Sequence, residues 1–146
     1  MMTAPSTTLT VQTRFGIFTA DVADIVTLED GIPGFERCRR FVLVSSDAIA
    51  PLTCVQGLDE PRPSFLAIPP RLVDPQYVER LTPADRVRLD ASDDGSLVWM
   101  AFVRLTGDAA SVNLRAPLVI NPRRMIGLQL MPADSSYPLD HPMVLD

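Results

Sequence analysis

Two cysteines, one histidine and a loose group of aspartates are the side chains of this chain with an aptitude for catalysis, and their spacing brings none of them a partner. A thiol nucleophile needs a base within hydrogen-bond reach. The single histidine, His141, is the one imidazole available to Cys38 or Cys54, and it stands between Asp140 and Pro142, five residues from the chain end, where order is expected to be weakest. Cys54, inside Leu52-Thr53-Cys54-Val55, has the surroundings of a small core residue. Two cysteines outside any CxxC spacing would leave a zinc site to be completed by carboxylates, so no metal is expected. Asp90, Asp93 and Asp94 lack the alternating oxygen ligands and closing Glu of a calcium loop and read as a solvated turn. Gly31 and Gly34 do not complete a GxGxxG, and a chain without lysine has no P-loop. The expectation is a protein with no cofactor and no enzymatic activity.

All 13 basic residues are arginine, against 18 acidic ones, which gives a formal net charge of -5. Such a surface repels phosphate backbones, so direct nucleic-acid binding would need a local basic patch working against the field. Arg37, Arg39 and Arg40 form one cluster and Arg123-Arg124 another, with Phe35 and Phe41 near the first. RNA footprints combine net positive charge with exposed aromatics. Here those aromatics lie in core-like runs, and the arginines read as solvated edges or as partners of acidic side chains.

Three polar residues stand out by position. Glu36 follows a Pro-Gly corner, where it either meets a partner or caps a short turn as an early acid. Asn113 and Gln129 sit within or beside apolar runs, where an unpartnered amide costs about 1–3 kcal/mol. Each either bonds the backbone of a neighbouring loop or faces a partner, and the usual satisfaction of buried amides favours the first.

The elements that would position these residues are short strands. Residues 1–8 are expected to form a flexible lead; from Leu9 apolar and polar residues alternate, then Gly16 opens a second run, Ile17 to Ala20, as two strands or one strand bent at a bulge. Ile25 to Leu28, Phe41 to Val44, Leu52 to Val55 and Phe65 to Ile68 are β-branched and aromatic runs separated by prolines. In Ile32-Pro33-Gly34-Phe35, Pro presets φ and Gly accepts positive φ, the type II combination, with Phe35 turned back as its apolar anchor. Asp74-Pro75 and Thr82-Pro83 each pair an N-cap residue with Pro at the first helical position, so one or two short helices fit between Leu72 and Leu89. Asp93-Asp94-Gly95 makes a hairpin turn into Leu97 to Leu105, a nearly continuous apolar run that predicts a strand buried on both faces. Ser111 to Leu114, Leu118 to Ile120 and Ile126 to Met131 complete the set. The predicted fold is mostly β: one compact, antiparallel, barrel-like domain over residues 9–146 with one or two short helices in mid-chain.

A length of 146 residues with 47% hydrophobic content suits one core. Neither a signal peptide nor a membrane-spanning stretch is apparent, and the expectation is a cytoplasmic protein with reduced thiols. With no long apolar heptad, coiled-coil assembly is not expected and the free chain is read as a monomer.

Segments spread along the chain carry a resemblance. Arg14-Phe15-Gly16, Gly31-Ile32-Pro33-Gly34-Phe35-Glu36, Val55-Gln56 before Phe65-Leu66-Ala67, Asp74-Pro75 with Tyr77, Asn113-Leu114-Arg115-Ala116-Pro117, Gly127-Leu128-Gln129 and Tyr137-Pro138-Leu139 occur in the order found in the flagellar assembly factor FliW family, which this chain resembles. Val55-Gln56-Gly57 stands where the family usually has Leu-Gln-Ser. The resemblance implies an antiparallel β-barrel that binds flagellin and, once flagellin is exported, binds the RNA-binding regulator CsrA and relieves its block on flagellin translation. It implies no direct contact with nucleic acid or membrane. Glu36, Asp74, Tyr77, Asn113 and Gln129, polar or amphipathic residues within the shared segments, become the candidate partner contacts. A diverged protein-binding barrel and a direct RNA-binding barrel are the alternatives, the second opposed by the net charge.

Overall fold

The structure is a computed structural model that describes residues 7–92 and 96–144. Its strands, in chain order, are β1 (Thr8–Thr13), β2 (Gly16–Asp21), β3 (Ile25–Leu28), β4 (Arg40–Val44), β5 (Thr53–Gly57), β6 (Ser64–Ile68), β7 (Val98–Thr106), β8 (Ala109–Val112), β9 (Leu118–Asn121), β10 (Ile126–Gln129) and β11 (His141–Met143). Two short helices, α1 (Pro70–Val73) and α2 (Pro83–Arg88), lie between β6 and β7.

Strand alternation closes a barrel. Strands β3, β4, β5, β6, β7, β9 and β10 pair in that order, and β10 returns to β3, so seven strands form a ring. Most pairs are antiparallel as expected, but the closing pair is parallel, with Ile126 opposite Thr27 and Gly127 opposite Leu28. That pair joins residues 99 positions apart, and no local pattern announces its direction. Every second side chain points inward: Val26, Leu28, Phe41, Val55, Ala67, Met100, Leu118 and Ile120 share one core. Burying one such Phe or Leu stabilises by about 1.5–3 kcal/mol.

The outward side chains are covered twice. On one flank, the segment carrying α1 and α2 brings Tyr77 and Leu89 onto Ile68, Trp99, Ala101 and Val119. On the other, the β1–β2 hairpin lays Val11 and Ala20 on Val42, Val44 and Cys54. The hairpin turns at Arg14-Phe15, so it is two paired strands and not one bent strand, and β1 begins at Thr8, one residue before the alternation suggested. Arg14 ties its tip to the barrel: the backbone N–H donates to Ser64 Oγ at 3.1 Å and Nη2 donates to the Ser64 carbonyl at 3.2 Å. Ser64 Oγ in turn donates to Gln56 Oε1, and buried Gln56 donates to the carbonyls of Gly57 and Arg62.

Other expectations need correction. Thr82 does cap α2, in a reciprocal capping box with Asp85. Asp74, however, ends α1 where the sequence reading had it start a helix: its N–H donates to Pro70 O, and its Oδ1 accepts the Gln76 N–H at 3.0 Å in an Asx turn. Strand β7 is buried over Trp99–Ala101, with Val98 at its start exposed and Arg104, Leu105 and Thr106 exposed at its far end. His141 belongs to an ordered edge strand, β11, paired with β8. The expected Asp93-Asp94-Gly95 turn lies outside the described residues.

Candidate functional site

At one end of the barrel the chain leaves β3 for the Pro-Gly corner, enters β9 from the Asn113–Pro117 loop, leaves β10 at Gln129 and enters β6 at Ser64. This mouth gathers most of the segments that looked distinctive in the sequence. The corner is the expected turn: the Phe35 N–H donates to Ile32 O at 2.7 Å, and Gly34 sits at φ +87°. Phe35 turns back edge-on to Phe65, their ring centres 5.3 Å apart, and Phe65 meets Phe102 at the same separation.

The Asn113–Pro117 loop is held from every side. Asn113 Oδ1 accepts the N–H groups of Arg115 and Ala116, both at 3.1 Å. The Leu114 carbonyl accepts the Tyr77 hydroxyl at 2.9 Å, while the Leu114 N–H donates to Pro138 O. The Ala116 carbonyl accepts Gln129 Nε2 at 3.1 Å, and Pro117 O accepts the Leu130 N–H. Arg115 Nε donates to Tyr137 O at 2.9 Å, and the Tyr137 ring stacks on Tyr77. A loop with its carbonyls and amides so engaged is a rigid platform and not a mobile connection.

The five candidate contacts therefore divide. Glu36, Asn113 and Gln129 all line the mouth: Asn113 and Gln129 share a cavity of about 410 Å³ with Ile32, Pro33 and Met131, and Gln129 shares the adjoining one with Glu36. Glu36 Oε1 accepts the Gly34 N–H at 2.9 Å, and that bond with one from its own backbone amide holds its carboxyl below the usual carboxylate range. Asn113 and Gln129 bond loop backbone, as expected of inward-turned amides, yet they also face the cavity. Gln129 Oε1 is buried without a donor among the described residues. Tyr77 is a buried prop behind the loop; burial pushes its phenol up to about 12, with the nearby Tyr137 and Glu79 adding to the effect. Asp74 lies outside the mouth and serves the turn that delivers Tyr77, whose N–H donates to its carbonyl.

The residues with catalytic potential are dispersed or buried. Cys38 belongs to the barrel core and Cys54 lies under the hairpin; burial raises both thiols. His141 Nδ1 lies 2.8 Å from the Pro142 carbonyl oxygen. Of the arginine clusters, Arg40 pairs with Asp59 at 2.7 Å and Arg124 with Asp90 at 2.8 Å. Sequence reasoning passed over Arg104, Leu105, Met131 and Leu139, which line the mouth. Arg104 shares the parity of Met100 and Phe102 along β7, and that parity was the available signal.

Residues 9–143 match the family model described as FliW protein. The chain belongs to the FliW family. It is 33% identical over 132 residues to the flagellar assembly factor FliW of Geobacter sulfurreducens, spanning 89% of this chain and 82% of that protein. The corresponding FliW of Thermosipho africanus is 32% identical over 132 residues, 88% of this chain and 91% of that one. A crystal structure of the flagellar assembly factor FliW superposes with a TM-score of 0.83 at 26% identity, covering 94% of this chain and 98% of that chain. The FliW barrel and the two short helices are thus shared with a solved relative.

Proposed function

We propose that this chain acts by binding proteins, without catalysis, and that CsrA and flagellin are its alternating partners. One observation carries the reading: distinctive segments far apart in sequence, Gly31–Glu36, Asn113–Pro117 and Gly127–Gln129, converge on one rigid barrel mouth that joins apolar surface to polar groups. Membership of a family of flagellar assembly factors supports it. So does chemistry: both thiols are buried with raised pKa values, far from the reactive thiolate a nucleophile requires. The net charge of -5 suits a basic RNA-binding partner, met by complementary electrostatics with no contact to RNA. On this reading the protein works in the cytoplasm, as a monomer until it meets a partner. No helix among the described residues is long and apolar enough to cross a membrane.

Gel filtration of the protein with CsrA and flagellin, singly and together, tests the alternation. Two binary complexes and no three-component peak are expected. A stable ternary complex would sink the exclusive switch. Binding to neither would point to a diverged barrel.

A further inference from the structure

Beyond that reading lies a feature of the mouth that the net charge hides. Strand β6 spans Ser64–Ile68, but β7 pairs with it only from Leu66 to Ile68, opposite Ala101–Val103. Past Val103 the two strands part. The β6-facing edge of Arg104–Thr106 then has no strand partner among the described residues, since its ladder runs only to β8. Between the parted strands lies a cavity of about 720 Å³, floored by Phe65 and Phe102 and bounded by Arg14, Arg104 and Leu105. It meets the Gln129 cavity at Asn113 and Leu139, which line both.

The two cavities make one trough with an unusual charge. Three arginines, Arg14, Arg104 and Arg115, line it, and no acidic side chain among the described residues does, on a chain with a net charge of -5. Acidic residues line the neighbouring cavities: Asp30 and Glu36 beyond Pro33, and Asp85 and Asp134 beyond Met131 and Pro132. Among the described residues none of the three arginines has an ion-pair partner: Arg14 is spent on Ser64 and on its own Phe15 ring, and Arg115 Nε on Tyr137 O. Leu105, Leu139 and Met131 are 46%, 56% and 58% exposed along the same trough.

We propose that this trough binds an extended, acidic segment of another protein, laid along the free edge of β7 at Arg104–Thr106. An open strand edge supplies main-chain hydrogen bonds to an added strand. Alternate side chains of that strand reach the Phe65–Phe102 floor, and carboxylates meet the three arginines. The site is opposite in sign to the acidic outer surface, so it selects a different chemistry from the basic partner invoked above and stands whether or not CsrA or flagellin binds.

The test is fluorescence anisotropy with fluorescein-labelled decapeptides that alternate Glu with Phe or Leu, a Lys-for-Glu analogue, and a Glu version carrying two prolines, which cannot extend a ladder. Saturable binding of the Glu peptide is expected, weakened by salt, with the Lys and Pro analogues weaker by about tenfold or more. Arg104→Glu should weaken it by about tenfold or more while leaving the fold intact, because Arg104 is exposed and has no ion-pair partner among the described residues, and Arg104→Lys should restore part of it. Arg123→Glu, exposed in the β9–β10 turn at the opposite end of the barrel, should leave binding unchanged. Absence of Glu-peptide binding, equal binding of the Lys or Pro analogue, or indifference to Arg104→Glu in a variant with native circular dichroism would each overturn the proposal.

Discussion

Replacing Tyr77 by Phe isolates the hydroxyl that props the Asn113–Pro117 loop. The side chain is 4% exposed, and its hydroxyl donates to Leu114 O at 2.9 Å. Phe keeps the ring stacked on Tyr137, whose centre lies 4.5 Å away, so the packing contribution survives. What goes is one buried hydrogen bond, leaving the Leu114 carbonyl without that donor, a loss of about 1–3 kcal/mol. At this chain length the midpoint of thermal unfolding should fall by about 6 °C. Tyr77→Ala removes the ring as well and should cost about 3–5 kcal/mol, as aromatic truncations in cores do. Urea unfolding followed by the fluorescence of Trp99, which shares a core cluster with Tyr77, measures both. The phenol has its own pH signature. Its folded pKa of about 12 lies above the unfolded value, so its stabilisation is complete below about pH 10 and is lost as pH rises through about 12. The gap between wild type and Tyr77→Phe should therefore close in that window. A Tyr77→Phe variant within about 0.5 kcal/mol of wild type at neutral pH would refute the reasoning, because a surface-like effect of that size means the bond is not a prop.

Further outcomes follow from other parts of the structure. Gly34→Ala should destabilise by about 1 kcal/mol or more, and Gly34→Asn by less, because the cost is conformational: φ is +87° and an added Cβ would meet nothing within 4 Å; equal urea midpoints for the two would contradict this. Asp59 accepts the N–H groups of Arg39 and Arg40 and the Arg40 guanidinium, first among the causes that hold its carboxyl low. Its contribution is present above the unfolded carboxylate range and lost as pH falls through the lower folded value, so the stability difference from Asp59→Asn should shrink in acid; a difference flat with pH would count against the pair. Iodoacetamide at neutral pH should label neither Cys38 nor Cys54 until urea unfolds the chain, and rapid labelling of native protein would reopen thiol chemistry.

Local signals were legible and long-range ones were not. The Pro33-Gly34 corner, the Thr82 cap and the parity that packs Phe41, Met100 and Leu118 inward all follow from rules acting over a few residues. Asp74-Pro75 misled because Pro69-Pro70 starts a helix one turn earlier, which leaves Asp74 as its stop. The apolar run from Leu97 misled at its far end because β6 pairs with β7 only as far as Val103, so Leu105 is apolar yet exposed. The parallel β3–β10 closure joins opposite halves of the chain, and the three-residue β11, which contains Pro142, forms only as an edge strand on β8. As for the site, Glu36, Asn113 and Gln129 could be picked out as polar residues in apolar or turn settings. Arg104 offered only its parity with Met100 and Phe102, because the end of the β6–β7 ladder beside it is set by long-range pairing, and Tyr77 carried a polar tip whose partner lies 37 residues on.

Titration calorimetry of the purified protein against CsrA from the same organism, repeated after saturation with flagellin, tests the central claim most directly. The account predicts saturable binding to CsrA that flagellin abolishes. Undiminished CsrA binding in the presence of saturating flagellin would contradict the alternation, and absence of heat with either protein would contradict the assignment of both partners.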